Sequence, residues 1–458
     1  MDLPSDARRQ PDRLPFAGIA PMLQQGVDQQ LMAGAVTLVW RRGELAHAGA
    51  VGWRDVAARD PMRPDALFRI ASMTKPIVSL AVMMLVEEGW LRLDDPVSRW
   101  IPELGDMQVL IDPLGPLDAV RPSSRAITIE DLLTHRSGLA TAYTASGPLG
   151  AAYAERLGMA LLDPRGPDMW LAALGDLPLI AEPGERFTYS AGIDVLGCLL
   201  ARVEGRALSE IVQRRIFDPL GMVDTGFWVP ADKRDRLALL YRACPEGGAL
   251  QDISLPLSDG PPLFESGSGG LFSTAPDYLR FARLLLRRGE VDGVRLVRPE
   301  TVDLMARNRL TPAQRAMPFP AVAGAWSSWG FGLGLSMMLD PDRSPVPRLG
   351  GQLHLAGSLW QLVAGRPRAR AGAGLYDAGL YAALIRPAGR CRGDATGRRP
   401  CDGAAIAGAL PAPGICERGW VGSAPAGKGE ADWADCLSGD PYGNRTRVSA
   451  VRGPRPDR

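Results

Sequence analysis

Ser72 and Lys75 stand three residues apart in the run Ser72-Met73-Thr74-Lys75. On a helix, positions i and i+3 share a face, so a serine hydroxyl and a lysine ammonium at this spacing meet. A serine at a helix start also has unpaired backbone N–H groups beside it, ready to bind a developing oxyanion. The residues that follow, among them Ile77, Val78, Leu80, Val82, Met83, Met84 and Leu85, leave the helix no clear polar face. A lysine on so apolar a helix is partly desolvated, which favours its neutral form and equips it to act as a base. Ser-x-x-Lys alone arises often by chance. Its weight here comes from its setting: a short strand, then serine at a helix start, then a buried helix. A second group is Pro183-Gly184-Glu185-Arg186-Phe187-Thr188-Tyr189-Ser190, in which a turn delivers Tyr189 to the start of a helix. Such a tyrosine serves as a general base when a neighbouring cation stabilises its phenolate. Taken alone, an ordinary helix-start tyrosine is the plainer reading.

The elements that must position these groups are legible from pattern. Gly34 to Arg41 reads as a strand, Arg42-Gly43 as a turn and Leu45 to Val51 as the return strand. Leu67-Phe68-Arg69-Ile70 reads as a third short strand. The helix from Ser72 to Glu88 tolerates Pro76 in its first turn and ends at Gly89. Thr128 with Asp131 forms an N-cap signature that opens a short helix towards His135. Further helices are expected over Tyr189–Val203, Leu208–Phe217 and, capped by Thr274, on to Arg288. Gly332 to Leu339 reads as a late strand. Strands, a long helical middle and a returning strand predict an α/β architecture of the α+β type. An antiparallel sheet is formed by both ends and flanked by helices, with a helical subdomain inserted at about 90–270.

Composition narrows the function classes. Hydrophobic residues make up 46% of the 458, enough for a sizeable core, and the net charge of +1 gives no reason to expect nucleic acid or an anionic membrane as partner. Three histidines and no zinc-type cysteine spacing point away from a metal, and no cofactor is expected. Residues 1–14 form a charged, proline-containing tail with no apolar run of the signal-peptide kind, and no stretch is apolar for 18 residues. The expectation is a cytoplasmic protein acting on a small molecule. No Gly-x-Ser-x-Gly occurs, which counts against an α/β-hydrolase. Ser266-Gly267-Ser268-Gly269-Gly270 is too irregular for a phosphate loop and reads as a turn.

Several stretches together resemble the family that joins class C β-lactamases, D-alanyl-D-alanine carboxypeptidases and family VIII carboxylesterases. They are Phe68 to Lys75, Ile129 to Leu139, Pro183 to Ser190, Ile216 to Met222 and Gly269 to Thr274, in order and at family-like spacing over about 20–345. The resemblance implies a β-lactamase/transpeptidase-like fold, with Ser72 as acylated nucleophile, Lys75 as its activator and Tyr189 as the base that later primes water. It places His135 in a structural loop near the site, where a buried structural histidine is favoured over a catalytic one. His47, in the return strand, is incidental. Two departures favour the esterase branch. Ala191 stands where β-lactamases of the family carry the asparagine of Tyr-x-Asn, and no Lys-Thr-Gly occurs anywhere in the chain. Without that cation and that amide, recognition of a β-lactam carboxylate is weakened. The expected activity is hydrolysis of carboxylic esters, with short acyl chains, through an acyl-enzyme. A β-lactamase or peptidase acting on an amide, and a catalytically inactive binding protein of the same fold, are the alternatives.

One oxyanion donor is expected to be the Ser72 backbone N–H, and the other to come from a late strand near Gly351 or Gln352. There, however, the text changes character. Arg348-Leu349-Gly350-Gly351-Gln352-Leu353 stands where the resemblance implies Trp-Gly-Gly-x-Tyr, and leucine-glycine-glycine codons shifted by one base read Trp-Gly-Gly. The residues that follow are rich in Ala, Gly, Arg and Pro and carry Cys391, Cys401, Cys416 and Cys436. The hydrolase domain is therefore expected over 15–348. Residues 349–458 are expected to be an out-of-frame or disordered extension that adds no strand to the sheet.

Overall fold

The computed structural model describes residues 16–41, 43–158, 163–242, 248–316, 329–339, 353–357, 361–365 and 379–384. Helix α1 (Ile19–Asp28) leads into strands β1 (Gly34–Arg41), β2 (Glu44–Asp55) and the short β3 (Asp60–Pro61). Strand β4 (Leu67–Arg69) precedes α2 (Thr74–Glu87). The helical region then holds a small hairpin, β5 (Gln108–Leu110) and β6 (Val120–Pro122), with α3 (Ile129–Leu133), α4 (Gly147–Arg156), α5 (Pro167–Gly175), α6 (Gly192–Glu204), α7 (Leu208–Val212) and α8 (Asp218–Leu220). A β7–β8 pair (Tyr241–Arg242, Gln251–Asp252), β9 (Phe272–Thr274), α9 (Ala275–Leu286), the β10–β11 hairpin (Glu290–Val291, Val294–Arg295), α10 (Pro299–Met305) and α11 (Pro312–Ala316) follow. The late strands are β12 (Trp329–Phe331), β13 (Ser336–Met338), β14 (Leu353–Gly357), β15 (Gln361–Gly365) and β16 (Gly379–Leu384).

The main sheet has eight strands in the order β12-β13-β14-β15-β16-β1-β2-β3, paired antiparallel throughout. Both ends of the described chain build it: β16 lies beside β1, with Val36 opposite Leu384. Helices α1 and α9 pack on this sheet, and α2 packs against α6 and α7. The α+β architecture expected from pattern is the one found. Helix α2 is buried almost all round, with Ile77, Val78, Leu80, Ala81, Val82, Met83 and Leu85 in the core, which is why its sequence shows no polar stripe. Thr128 and Asp131 form the full capping box at α3, and Thr274 accepts from the Asp277 N–H at 3.3 Å to start α9.

The third short strand is present as β4 and pairs with β9 in a separate two-stranded ribbon. Three expectations give way. Gly332 to Leu339 is not one strand: Gly332 to Leu335 turns the chain between β12 and β13, and only Ser336–Met338 is strand. Gly334 turns the chain at φ +76°, and a Cβ at Gly332 would meet the Met305 carbonyl oxygen at 2.1 Å. The helix read as Leu208–Phe217 passes from α7 into a π-turn over Gln213–Phe217. Most consequentially, the sheet does not stop at Arg348. Residues placed in the extension supply β14, β15 and β16, three neighbouring strands of the main sheet. Five or six residues long and rich in Ala and Gly, they carry too little alternation for the pattern to show. The four late cysteines lie outside the described residues.

Candidate active site

Ser72 is carried by a single 3-10 turn, Ala71–Met73, that feeds α2. That turn is pinned on both sides. The Ile70 N–H donates to the Leu271 carbonyl (3.0 Å), the Leu271 N–H donates to Thr74 Oγ1 (3.2 Å), and the Tyr278 hydroxyl donates to the Met73 carbonyl (2.9 Å). Ala71, just before the serine, takes φ +44°, a region costly for any residue with a Cβ. A strained residue at this place survives because the bonds around it over-determine the turn. The result is a half-buried Ser72 presented at the mouth of a buried helix.

Lys75 lies in the first turn of α2, 5% exposed. Its Nζ donates to Ser72 Oγ at 3.2 Å and to the Ser268 carbonyl at 2.7 Å. It also sits 4.6 Å from the centre of the Tyr189 ring. Burial lowers its pKa from the ordinary ammonium value, while Tyr143 and Asp194 push the other way. The neutral amine is thereby brought within reach, as the apolar helix implied.

Tyr189 is not the first residue of a helix. Helix α6 begins at Gly192, and residues 186–190 belong to no helix or strand. Their backbone bonds go elsewhere: the Thr188 N–H donates to the His135 carbonyl (2.8 Å) and the Ser190 N–H to His135 Nδ1 (3.2 Å). This strap brings the Tyr189 side chain beside Ser72. Burial raises the phenol pKa above its ordinary value, the Ser72 hydrogen bond lowers it in part, and Asp194 adds to the rise. Tyr189 rests as a phenol. The Ser72 hydroxyl is thus flanked by an amine and a phenol that can exchange a proton through it.

His135 is fully buried beneath this arrangement. Its ring centre is 4.4 Å from that of Tyr189, and Phe187 and Phe331 pack edge-on at 6.2 and 5.1 Å. Burial, then the Lys75 charge, holds it well below the usual imidazole value. Because Nδ1 accepts from the Ser190 N–H, the neutral tautomer carries its proton on Nε2. It supports Tyr189 and does not reach Ser72 through a hydrogen bond among the described residues. His47 lies in β2 with Nε2 2.9 Å from Thr37 Oγ1, away from these groups.

Three residues at the site were not singled out from sequence. Ser268 supplies the carbonyl that holds Lys75. The Ser266–Gly270 turn is a turn, as expected, but it is also a wall of the site. Asp194, 3% exposed in the first turn of α6, accepts at one oxygen from Ser266 Oγ (2.7 Å) and the Ser268 N–H (2.9 Å). A carboxylate alone among apolar residues in the first two turns of α6 is the available signal. Tyr143, 48% exposed, lies within electrostatic reach of Tyr189, Lys75 and Asp194. Burial raises its pKa, so it too is a phenol. No motif marks it. Gly351 and Gln352 lie outside the described residues, although β14, which begins immediately after them, runs beside the turn that bears Ser72. Among the described residues no group of His, Cys, Asp and Glu is placed to hold a metal ion, and no helix is long and apolar enough to cross a membrane.

The model of the family described as Beta-lactamase matches residues 19–381. An uncharacterized protein of Mycobacterium tuberculosis is 49% identical over 322 residues, covering 70% of this chain and 79% of that protein. Esterase EstB of Burkholderia gladioli is 35% identical over 367 residues, covering 75% of this chain and 86% of the esterase. Among solved structures, that of EstCE1, described as a hydrolase with promiscuous acyltransferase activity, superimposes with a TM-score of 0.65 at 28% identity. It covers 80% of this chain and 92% of its own.

Proposed function

The chain belongs to the beta-lactamase family and is a serine hydrolase, and from that premise we propose that it cleaves carboxylic esters of short acyl chain by a two-step acyl transfer. The observation that carries the reading is the hydrogen bond from Lys75 Nζ to Ser72 Oγ at 3.2 Å, with the Tyr189 phenol beside both groups. In the first step Ser72 attacks the ester carbonyl. Lys75 takes the serine proton, and Tyr189 passes a proton to the departing alkoxide. In the second step the same pair deprotonates water, which releases the acid and restores the serine. The Ser72 backbone N–H, at a helix start where intrahelical acceptors are missing, donates to the oxyanion. The second donor is assigned to the segment at Gly351 and Gln352.

The ester assignment rests on what the site lacks beside what it has. Ala191 is buried and brings no amide to the acyl group, and no Lys-Thr-Gly is present to grip a β-lactam carboxylate. The similarity to Esterase EstB agrees with this choice. The name of EstCE1 supports a second outcome of the same chemistry, in which an alcohol in place of water accepts the acyl group. The test compares kcat/KM for a nitrophenyl butyrate with that for a chromogenic cephalosporin. A clear preference for the butyrate is expected, and the reverse order overturns the ester assignment. Covalent labelling by a fluorophosphonate, lost in Ser72→Ala, separates an enzyme from an inactive binding protein of the same fold.

A further inference from the structure

Lys75 must be held with its nitrogen on Ser72, yet the residue after the Tyr189-Ser190 pair, Ala191, offers it no polar atom. Its hydrogen-bond acceptors among the described residues are Ser72 Oγ and the Ser268 carbonyl. The shorter bond is the one to Ser268, so the direction of that carbonyl sets the position of the amine. Ser268 sits in a glycine-rich turn, which has no stiffness of its own. Its shape is imposed from outside. The Gly269 and Gly270 N–H groups close onto the Ser266 carbonyl at 3.3 and 2.9 Å. A Cβ at Gly267 would meet the Ile193 carbonyl oxygen at 2.5 Å, so the turn lies directly on the first turn of α6. From that helix Asp194 reaches across and binds both Ser266 and Ser268 with one carboxylate oxygen.

We propose that Asp194 is a positioning residue for Lys75: its carboxylate clamps the Ser266–Gly270 turn so that the Ser268 carbonyl receives the lysine nitrogen opposite Ser72. The same anion faces Lys75 and favours its charged form, which sets the pH at which the amine becomes free to accept the serine proton. This rests on the reading of Ser72 and Lys75 as nucleophile and base. The other titratable groups around Lys75 are Tyr143 from the segment between α3 and α4, Tyr189 from the strap before α6, and His135 from the end of α3. Both tyrosines rest as phenols and His135 is neutral, so Asp194 is the anion of the set.

The sign of the effect follows. Activity rises with pH as Lys75 loses its proton, and removing a nearby negative charge lets the proton leave at lower pH. Asp194→Asn keeps the side-chain shape and removes the charge. The acid limb of its kcat/KM profile is expected to move to lower pH. Its kcat should fall about 10- to 100-fold, as is found when outer partners of metal-binding residues are lost, with KM changed little. Ser266→Ala keeps the charge and removes one of the two clamped bonds. Slower fluorophosphonate labelling, a limb left in place and an unchanged melting temperature are expected. A merely structural carboxylate would lower the melting temperature of Asp194→Asn and leave the limb where it was, and that outcome overturns the proposal. If Asp194→Asn does not fold, wild-type labelling by Ser266→Ala overturns it instead. Ser72→Ala and Lys75→Ala run beside them. Turnover retained in either would show that the reading of the catalytic pair had failed, whereas their loss with an unmoved Asp194→Asn limb rejects the clamp alone.

Discussion

Tyr189→Phe separates chemistry from architecture at this site. The change removes one hydroxyl and keeps the ring. The stacking on His135 at 4.4 Å and the ring beneath Lys75 at 4.6 Å therefore persist. The structural loss is at most one hydrogen bond, worth about 0.5–1.5 kcal/mol net. For a chain this large, 1 kcal/mol corresponds to about 2–4 °C or less in melting temperature, so Tm should fall by a few degrees at most. The catalytic loss is of another size. A positioned proton-transfer group contributes about 10²–10⁴ in rate, or about 3–5 kcal/mol of barrier. The assay is steady-state and burst kinetics on nitrophenyl butyrate, with fluorophosphonate labelling and a thermal melt on the same preparation. The expected result is a kcat lowered at least a hundredfold, slowed labelling and a nearly unchanged Tm. Retained turnover would remove Tyr189 from the mechanism. Lost turnover with a Tm collapse of ten degrees or more would mean that the hydroxyl holds the fold rather than moves a proton.

Ser72→Ala should abolish hydrolysis and labelling, a loss of roughly 10⁴-fold or more, while circular dichroism and Tm stay as in the parent. Tyr143→Phe should lower kcat for the ester without moving Tm, since the residue is half exposed and only its hydroxyl is altered; unchanged kinetics would place Tyr143 outside the reaction. The depressed His135 pKa makes a stability prediction. The folded protein keeps this imidazole neutral, so the unfolded chain takes up the proton first as pH falls through 6.5. Stability should then decline below pH 6.5 by up to about 1.4 kcal/mol per pH unit, and His135→Phe should flatten that slope between pH 6.5 and 5.5; an equal slope in the variant would refute the assignment. Gly267→Ala should cost both stability and activity, because its Cβ would force the Ser266–Gly270 turn off Ile193 and carry Ser268 away from Lys75. A variant as active as the parent would show that the turn adapts freely.

The nucleophile and its amine were readable because their spacing is local: three residues on one helix, with the apolar run of α2 announcing its burial. The caps at Thr128 and Thr274 were readable for the same reason. Tyr189 is legible, but its helix begins three residues later than its sequence implies, because the bonds that keep residues 186–190 out of the helix come from His135, fifty residues upstream. Asp194, Ser268 and Tyr143 carry no motif, since their roles exist only after α6, the Ser266–Gly270 turn and the segment after α3 converge. The late strands escaped for a different reason. In Leu353–Gly357, Gln361–Gly365 and Gly379–Leu384 small residues replace the β-branched ones that advertise a strand. Their place is set by pairing with β13 and β1, not by their own preference.

That pairing gives the fold a history. During synthesis β1 and β2 can close as a hairpin at once, but the other edge of β1 has to wait for β16, since Val36 meets Leu384. Throughout that interval an apolar strand carrying Val36, Leu38 and Val39 has a row of unmatched backbone donors and acceptors. Contacts so distant in sequence also form slowly. The helical region can gather around α2 while the ribosome is still at work, whereas completion of the sheet comes last. Expression at lower temperature, or with a chaperone that shields open strand edges, should therefore raise soluble yield more than any change to the active site.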